Sequence, residues 1–384
     1  MSKIFALIDC DSFFVSCEQA MDKSLKGKPV CVTGGVNGCV VSRSKEAKKL
    51  GIPMGYPTFM AQKEFKNAIY IAGNHELYKD LSSKVMAILK DFSPNVEVCS
   101  IDEAYVDFTG LCKLYKCNYF QLAEKLRNRI LEELDLPVSI GVSTTKTLAK
   151  FASDYAKGKG GIYLIGKSKL KKILPKTPIN DICGVGRRLK VALNKEGILT
   201  CKELVQKPDE WLKSKYSITM CELKHELLGE SVYEINTEVK IPKSIQETSS
   251  FAPYTNDISF LKNEINKHIK DACRKMRKYD GKTSQVGVML KDKDFVVYTD
   301  KMNIPPTDSE LEISKYVFEL FDKIYNENLK YRSTGAFLLN LNCTNTYQIG
   351  LFDEVKNEKL EKLSKSIDKI ESKFGKNAVK TGFI

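Results

Sequence analysis

The stretch that most limits how this chain can fold is Pro94-Asn-Val-Glu-Val-Cys-Ser-Ile-Asp-Glu-Ala-Tyr-Val-Asp-Phe-Thr109. Val96, Val98, Ile101, Ala104, Val106 and Phe108 give it two short strand-like halves, and Asp102 and Glu103 sit at their join. Acids are depleted in strands. An acidic pair between two apolar halves is therefore either a solvated turn or a hairpin that presents carboxylates to a divalent metal. This stretch alone leaves both open. Successive strand residues point to opposite faces, so Asp102 and Glu103 share one site only if a turn or bulge falls there.

A second acidic cluster favours the metal. The chain opens Lys3-Ile-Phe-Ala-Leu-Ile-Asp-Cys-Asp11, an apolar run ending in Asp9 and Asp11, which point the same way from an extended backbone. A carboxylate at the end of one strand, beside a carboxylate pair on a neighbouring hairpin, is what a two-metal phosphoryl-transfer site requires, with ions about 3.5–4 Å apart. Hard oxygen ligands suit Mg²⁺.

The partner follows from charge. Lys and Arg number 61 against 48 Asp and Glu, net +13. That surplus argues for a polyanion, nucleic acid first and an acidic membrane surface second. The 384 residues allow two or more domains. The 12 cysteines form no C-x-x-C pair and have no His at zinc spacing. Asp9 interrupts the one early apolar run, so no signal peptide is expected, and nothing reaches the length of a membrane span. The expectation is a cytoplasmic protein with reduced thiols.

Along the chain, Met21–Ala72 is rich in Gly and Lys and reads as an insertion. Within it, Ser42, Arg43, Lys45 and Lys48 precede Gly51 on what reads as a short helix, able to meet phosphates or simply to form a solvated basic face. Asn74 caps a helix from His75 to about Asp91, with Leu77, Leu81, Val85, Ile88 and Leu89 at helical spacing. Further predicted elements are a helix at 121–134, a strand at 138–142, a helix from Thr144 or Thr145 to about Lys157, and a strand at 162–165. The layout is α+β, antiparallel in type, with helices on one face. A lysine-rich stretch follows. Lys146, Lys150, Lys157, Lys159, Lys167, Lys169, Lys171, Lys172 and Lys176 face one acid of the same span, Asp154. Asp181–Lys190 resembles a helix-hairpin-helix whose Gly184-Val-Gly186 turn can offer backbone N–H groups to a phosphate, with Arg187 and Arg188 beside it. A plain glycine turn is the competing reading. Thr200 and Glu203 form a capping box.

Residues 230–243 are polar and extended. Strands at 246–251, 285–290, 295–298 and 335–342, with helices at 257–278 and 308–327, make a second α+β domain of roughly a hundred residues. Leu351-Phe352 is an apolar pair in a polar segment, either an anchor for another protein's groove or a patch tucked on its own domain. Leu360, Leu363, Ile367, Ile370 and Phe374 form a helix stripe that packs on the protein itself or on a partner.

Taken together, Ile8-Asp-Cys-Asp-Ser-Phe-Phe14, Ser100-Ile-Asp-Glu-Ala-Tyr105, Thr145-Lys-Thr-Leu-Ala-Lys150 and Cys183-Gly-Val-Gly-Arg-Arg188 resemble the Y-family of lesion-bypass DNA polymerases. Gly38–Lys48 and the tail Gln348–Phe352 are similar to its UmuC branch. The resemblance implies a right-hand polymerase with a ferredoxin-like palm (1–20 and 73–168) and small fingers (21–72). It also implies a helical thumb (169–235), a linker (236–243), an α+β little finger (244–344), and a clamp-binding peptide with a C-terminal helix (345–384). It implies low-fidelity, template-directed addition of deoxynucleoside triphosphates to primer-template DNA with two Mg²⁺ ions, Mn²⁺ being a substitute. The implied metal ligands are Asp9, the Cys10 carbonyl, Asp102 and Glu103. The implied nucleotide contacts are Phe13, Phe14, Ser42, Lys48 and Lys157, with Phe14 excluding a ribose 2′-hydroxyl and Phe13 fitting a core residue better. Gly184, Gly186, Arg187 and Arg188 would meet DNA. Gln348, Leu351 and Phe352 would dock on the replication sliding clamp, and UmuD-like or recombinase proteins are further partners of the branch. Two rivals stand beside this: a non-catalytic, clamp-tethered DNA-binding scaffold, which would be expected to lose metal carboxylates, and a palm-type nucleotidyl cyclase, which would need neither the basic turn nor a clamp peptide.

Overall fold

The computed structural model describes residues 3–35, 38–238, 241–343, 358–375 and 378–379. Among the described residues the strands, in chain order, are β1 (Phe5–Cys10), β2 (Val30–Thr33), β3 (Val40–Arg43), β4 (Ile69–Ala72), β5 (Val96–Val98), β6 (Glu103–Asp107), β7 (Val138–Ser143), β8 (Ile162–Ile165), β9 (Ile245–Thr255), β10 (Lys282–Asp292), β11 (Val297–Thr307) and β12 (Tyr331–Asn342). The chain divides into two compact units, Met1–Glu238 and Val239–Ile384, which meet inside the stretch read as a linker.

The first unit is built on a five-stranded sheet ordered β5-β6-β1-β7-β8. β1 is antiparallel to both β6 and β7, and β8 runs parallel to β7. Helices cover both faces, not the single face expected. Ala6 and Ile8 join a core with Leu81, Val85 and Leu89 of the His75–Phe92 helix and Leu122, Leu126 and Ile130 of the Tyr119–Leu134 helix. Phe5 and Leu7 pack the other way, against Ala149 of the Lys146–Ala156 helix. The reason lies in β1 itself. Phe5-Ala-Leu-Ile8 is apolar at every position, the pattern of a strand buried on both sides.

Within residues 21–72 a separate sheet, β3-β2-β4, covers a small core of Cys31, Val40, Ala47, Ile52 and Ala61, while Leu25, Val30 and Val32 join the core beneath β1. A third core collects Ile179, Leu193, Ile198, Leu204, Leu212 and Leu227 from the helices and loops after β8, and takes in Leu148 and Ala152 of the Lys146–Ala156 helix. The capping box is present, with Glu203 reaching back to the Thr200 N–H at 2.8 Å. The polar segment after residue 230 is tied down before it leaves this unit. Ile235 packs beside Phe5 and Leu7, and the Asn236 N–H donates to Glu97 Oε2 at 2.8 Å. Glu97 is buried and accepts from Lys146 Nζ at 2.7 Å.

The second unit is a four-stranded antiparallel sheet ordered β11-β10-β12-β9. The Ile258–Arg277 and Glu310–Ile324 helices supply Leu261, Ile265, Ile269, Val317 and Phe321 to one core with Val286, Val288 and Leu338. Its strands run 11 or 12 residues, longer than apolar alternation showed, because ladder pairing continues through polar residues on the open face. The Glu358–Phe374 helix docks on this unit. Ile367 is buried, and Arg277 donates to both Asp368 oxygens at 2.6 and 2.7 Å. Among the described residues no helix is long and apolar enough to cross a membrane.

Candidate active site

Asp9, at the penultimate position of β1, is the direct cross-strand partner of Glu103, the first residue of β6. Opposed residues of an antiparallel pair project from the same face, here the face covered by the Lys146–Ala156 helix. That helix starts at the Thr145 N-cap, whose side chain accepts from the Leu148 N–H. It turns Ala149, Ala152, Ser153 and Ala156 inward. These small residues permit a close approach to β7, and Gly141 completes it. A Cβ there would lie 2.1 Å from the Ala149 carbonyl oxygen and the Ser153 nitrogen.

The helix delivers two ammonium groups to the carboxylates. Lys150 Nζ donates to Asp9 Oδ2 at 2.9 Å and to Glu103 Oε2 at 2.8 Å. Lys157 Nζ, two turns on, donates to the same Asp9 oxygen at 2.9 Å and to Asp154 Oδ1 at 3.0 Å. Burial works against the charge of Lys150, but the hydrogen bond to Glu103 and the charge of Asp9 outweigh it and hold the ammonium well above the ordinary lysine range. Lys157 is raised in the same way, burial being opposed by its Asp9 hydrogen bond.

Asp102 lies in the turn between β5 and β6, so the required break in the strand is there. Its carbonyl accepts from the Cys10 N–H at 2.9 Å, which ties the turn to the end of β1. Its carboxylate accepts from Ser100 Oγ at 2.5 Å and takes no part in the lysine bridge. The structure thus brings Asp9 and Glu103 together and leaves Asp102 alongside. Among the described residues no three His, Cys, Asp or Glu side chains are already converged as a cation cage. The Cys10 thiol is buried in the core, where burial pushes its pKa well up, so only its carbonyl is a candidate ligand. β1 ends at Cys10 and Asp11 begins a turn, so the extended backbone expected through Asp11 stops one residue short. The Asp11 carboxylate accepts from Ser139 Oγ at 2.8 Å, and Ser139 is the β7 partner of Asp9. Burial raises the Asp11 pKa; the Ser139 bond opposes that and the Asp9 charge adds to it.

The two phenylalanines separate. Phe13 is 4% exposed and belongs to the core, the setting that its reading as a core residue expects. It opens the 13–21 helix on the face that packs inward. Phe14 is half-buried and stacks on Tyr78, with ring centroids 4.5 Å apart and an interplanar angle of 21°. Ser42 and Lys48 both converge on Ser12, a left-handed residue at φ 48°. Ser42 Oγ is buried and donates to the Ser12 carbonyl at 3.2 Å, while Lys48 Nζ donates to Ser12 Oγ at 2.8 Å. Burial, then the charge of Arg43, lowers the Lys48 pKa. Lys45, Lys48 and Lys157 all act on Asp11 or on one another electrostatically, which gathers these basic residues around the carboxylates.

The impB/mucB/samB family matches residues 8–154, and its C-terminal domain matches residues 242–351. Protein ImpB of Salmonella typhimurium is 30% identical over 393 residues, covering 98% of this chain and 92% of that protein. A DNA polymerase IV of Dehalococcoides mccartyi is 33% identical, covering 98% and 96%. A solved Y-family DNA polymerase chimera of Dbh and Dpo4 aligns with a TM-score of 0.76 at 26% identity, covering 88% of this chain and 98% of that one.

The chain belongs to the impB/mucB/samB family of Y-family DNA polymerases. It is a DNA-directed DNA polymerase of the lesion-bypass class.

Elsewhere in this Y-family chain, Gly184 (φ 98°), Gly186, Arg187 and Arg188 are all exposed, and Gly186 caps the Arg187–Lys195 helix. The expected helix before the turn is only a 3₁₀ turn at Ile179–Asp181, since Pro178 and the glycines leave too few residues for an α-helical nucleus. Gln348, Leu351 and Phe352 lie outside the described residues. Sequence reasoning gave Lys150 no role of its own, counting it in a lysine run and as the last residue of the Thr145–Lys150 motif. The available signal was the spacing of Lys150, Asp154 and Lys157, which share one helix face. It also missed Ser100, Ser12 and Ser139, short hydroxyls that carry no periodic pattern.

Proposed function

We propose that this polymerase adds deoxynucleotides to a primer 3′-hydroxyl with Asp9, Asp102 and Glu103 as the carboxylates of a two-cation centre and the Cys10 carbonyl as a further ligand. The observation that carries the reading is the meeting of Asp9 and Glu103 on a single cationic nitrogen. An ammonium already stands between two hard oxygen donors, so charge and donor chemistry fit Mg²⁺, or Mn²⁺ in its place. When bound, such ions lower the pKa of the attacking hydroxyl and neutralise charge on the leaving pyrophosphate.

The remaining work is positioning. Lys48 and Lys157 supply cations toward a triphosphate, and Ser42 fixes the Ser12 turn on which Lys48 rests. The Phe14 ring, held by Tyr78, leaves no room for a 2′-oxygen on the incoming sugar. The exposed turn at 184–188 meets the DNA backbone through N–H groups and two guanidinium groups. In this reading residues 1–20 and 73–168 are the palm, 21–72 the fingers, 169–235 the thumb and 244–344 the little finger. The Gln348–Phe352 peptide docks on a sliding clamp, a reading supported by its sequence alone. Primer extension on intact and damaged templates, run beside DNA binding by fluorescence anisotropy, tests the function. Asp102→Asn should abolish extension and leave binding intact; equal extension by the variant would remove the site assignment.

A further inference from the structure

We infer that Lys150 is a built-in competitor of the divalent cation, holding Asp9 and Glu103 together before a cation arrives and passing to Asp154 when one enters. The inference rests on the reading that these carboxylates hold the cation. It starts from how the lone pairs are used. Asp9 is 7% exposed, and its Oδ2 already accepts from both Lys150 and Lys157. The Glu103 Oε2 accepts from Lys150 as well. A carboxylate offers about four lone-pair sites in all. A divalent ion bound at about 2.0–2.1 Å to the same oxygens would stand within a few ångströms of an ammonium, where like charges in a half-buried site repel strongly. Both cannot keep Asp9 Oδ2.

The two lysines differ in freedom. The Lys157 side chain is 40% exposed and can turn to solvent or to a phosphate. The Lys150 side chain is 19% exposed, and leaving the carboxylates without another anion would strand its charge. Asp154 is that anion. It sits one helical turn away, 3.6 Å from Lys150 Nζ, and is 44% exposed. It already accepts from Lys157 at 3.0 Å, so a departure of Lys157 frees it for Lys150. The helix and its C-cap thus carry, at 150, 154 and 157, a cation, its resting place and a second cation.

The test is Mn²⁺ binding to the full chain without DNA or nucleotide, read by electron paramagnetic resonance, with circular dichroism to confirm folding. Lys150→Met should bind Mn²⁺ about tenfold more tightly than wild type. Asp154→Asn should weaken binding about threefold when Lys150 is present and leave it unchanged in the Lys150→Met background. This second comparison stands even if Lys150→Met alone is poorly folded, because Lys150→Gln serves as the same background. Equal or weaker binding by the Lys150 variants, with wild-type binding that depends on Glu103, overturns the competition and spares the metal site. Wild-type binding that is absent, or indifferent to Glu103→Gln, removes the metal reading and the inference with it.

Discussion

Asp9 and Glu103 are direct partners across β1 and β6, so the pleat alone sends both carboxylates to one face of the sheet. Glu103→Gln keeps the size of the side chain and removes its charge. Primer extension should fall roughly 10³-fold, the scale of several kcal/mol of lost charge stabilisation. The far-ultraviolet spectrum and DNA affinity should stay as they are. Single-turnover kinetics with a labelled primer is the measurement.

Phe14 lies against Tyr78, and in the proposed reading its ring faces the incoming sugar. Phe14→Ala should raise ribonucleotide incorporation relative to deoxynucleotide on the order of 100-fold, since only the substrate with the extra oxygen gains room. Paired kcat/KM values for matched nucleotides check it. A similar loss for both substrates would show that the ring merely packs.

Gly141 lies under the Lys146–Ala156 helix with no space for a methyl group. Gly141→Ala should lower stability by about 3 kcal/mol through overpacking. It should also reduce extension beyond what the lost folded fraction explains, because the displaced backbone bears Lys150 and Lys157. Urea unfolding alongside extension at a temperature where the variant is folded separates the two effects.

Much of this was legible beforehand. The 94–109 hairpin, the Asn74 and Thr145 caps and the Val138–Ser143 strand follow from alternation and capping, which are local. The Asp9–Glu103 meeting was readable because one acid lies near the close of an apolar strand and the other at the opening of the next. The second helical layer was not, because the all-apolar Phe5–Ile8 run was read without asking what covers its other side. Lys150 was missed because its partners come from strands far away in sequence. A lysine's role depends on which carboxylates the topology sets opposite it, and composition does not encode that.

His268 is buried and lies 3.2 Å from both Ser249 Oγ and Thr334 Oγ1. Burial lowers its pKa, against the pull of Glu264, Glu247 and Asp271. In the unfolded chain the imidazole takes up a proton near pH 6.5; in the fold it does so only at lower pH. The unfolded state therefore binds more protons on acidification. The second unit should be fully stable above about pH 6.5 and weaken below it. His268→Gln should flatten that dependence, as hydrogen exchange at Val286, Val288 and Leu338 would report.

Arg187 and Arg188 are exposed at the start of their helix. Replacing both with Ala should weaken primer-template binding and reduce the slope of log K against log salt by about one unit per arginine. Anisotropy titrations at several KCl concentrations measure it. An unchanged slope would place the DNA elsewhere.

The Lys146–Ala156 helix belongs to two hydrophobic clusters at once, Ala149 lying with Phe5 and Leu7 while Leu148 and Ala152 join the cluster formed after β8. It is a strut wedged between neighbouring bodies, and its cations ride on it. Heat or mutation that loosens the later cluster slackens the strut, so this polymerase should fall catalytically silent in the same cooperative step in which residues remote from the chemistry lose their packing.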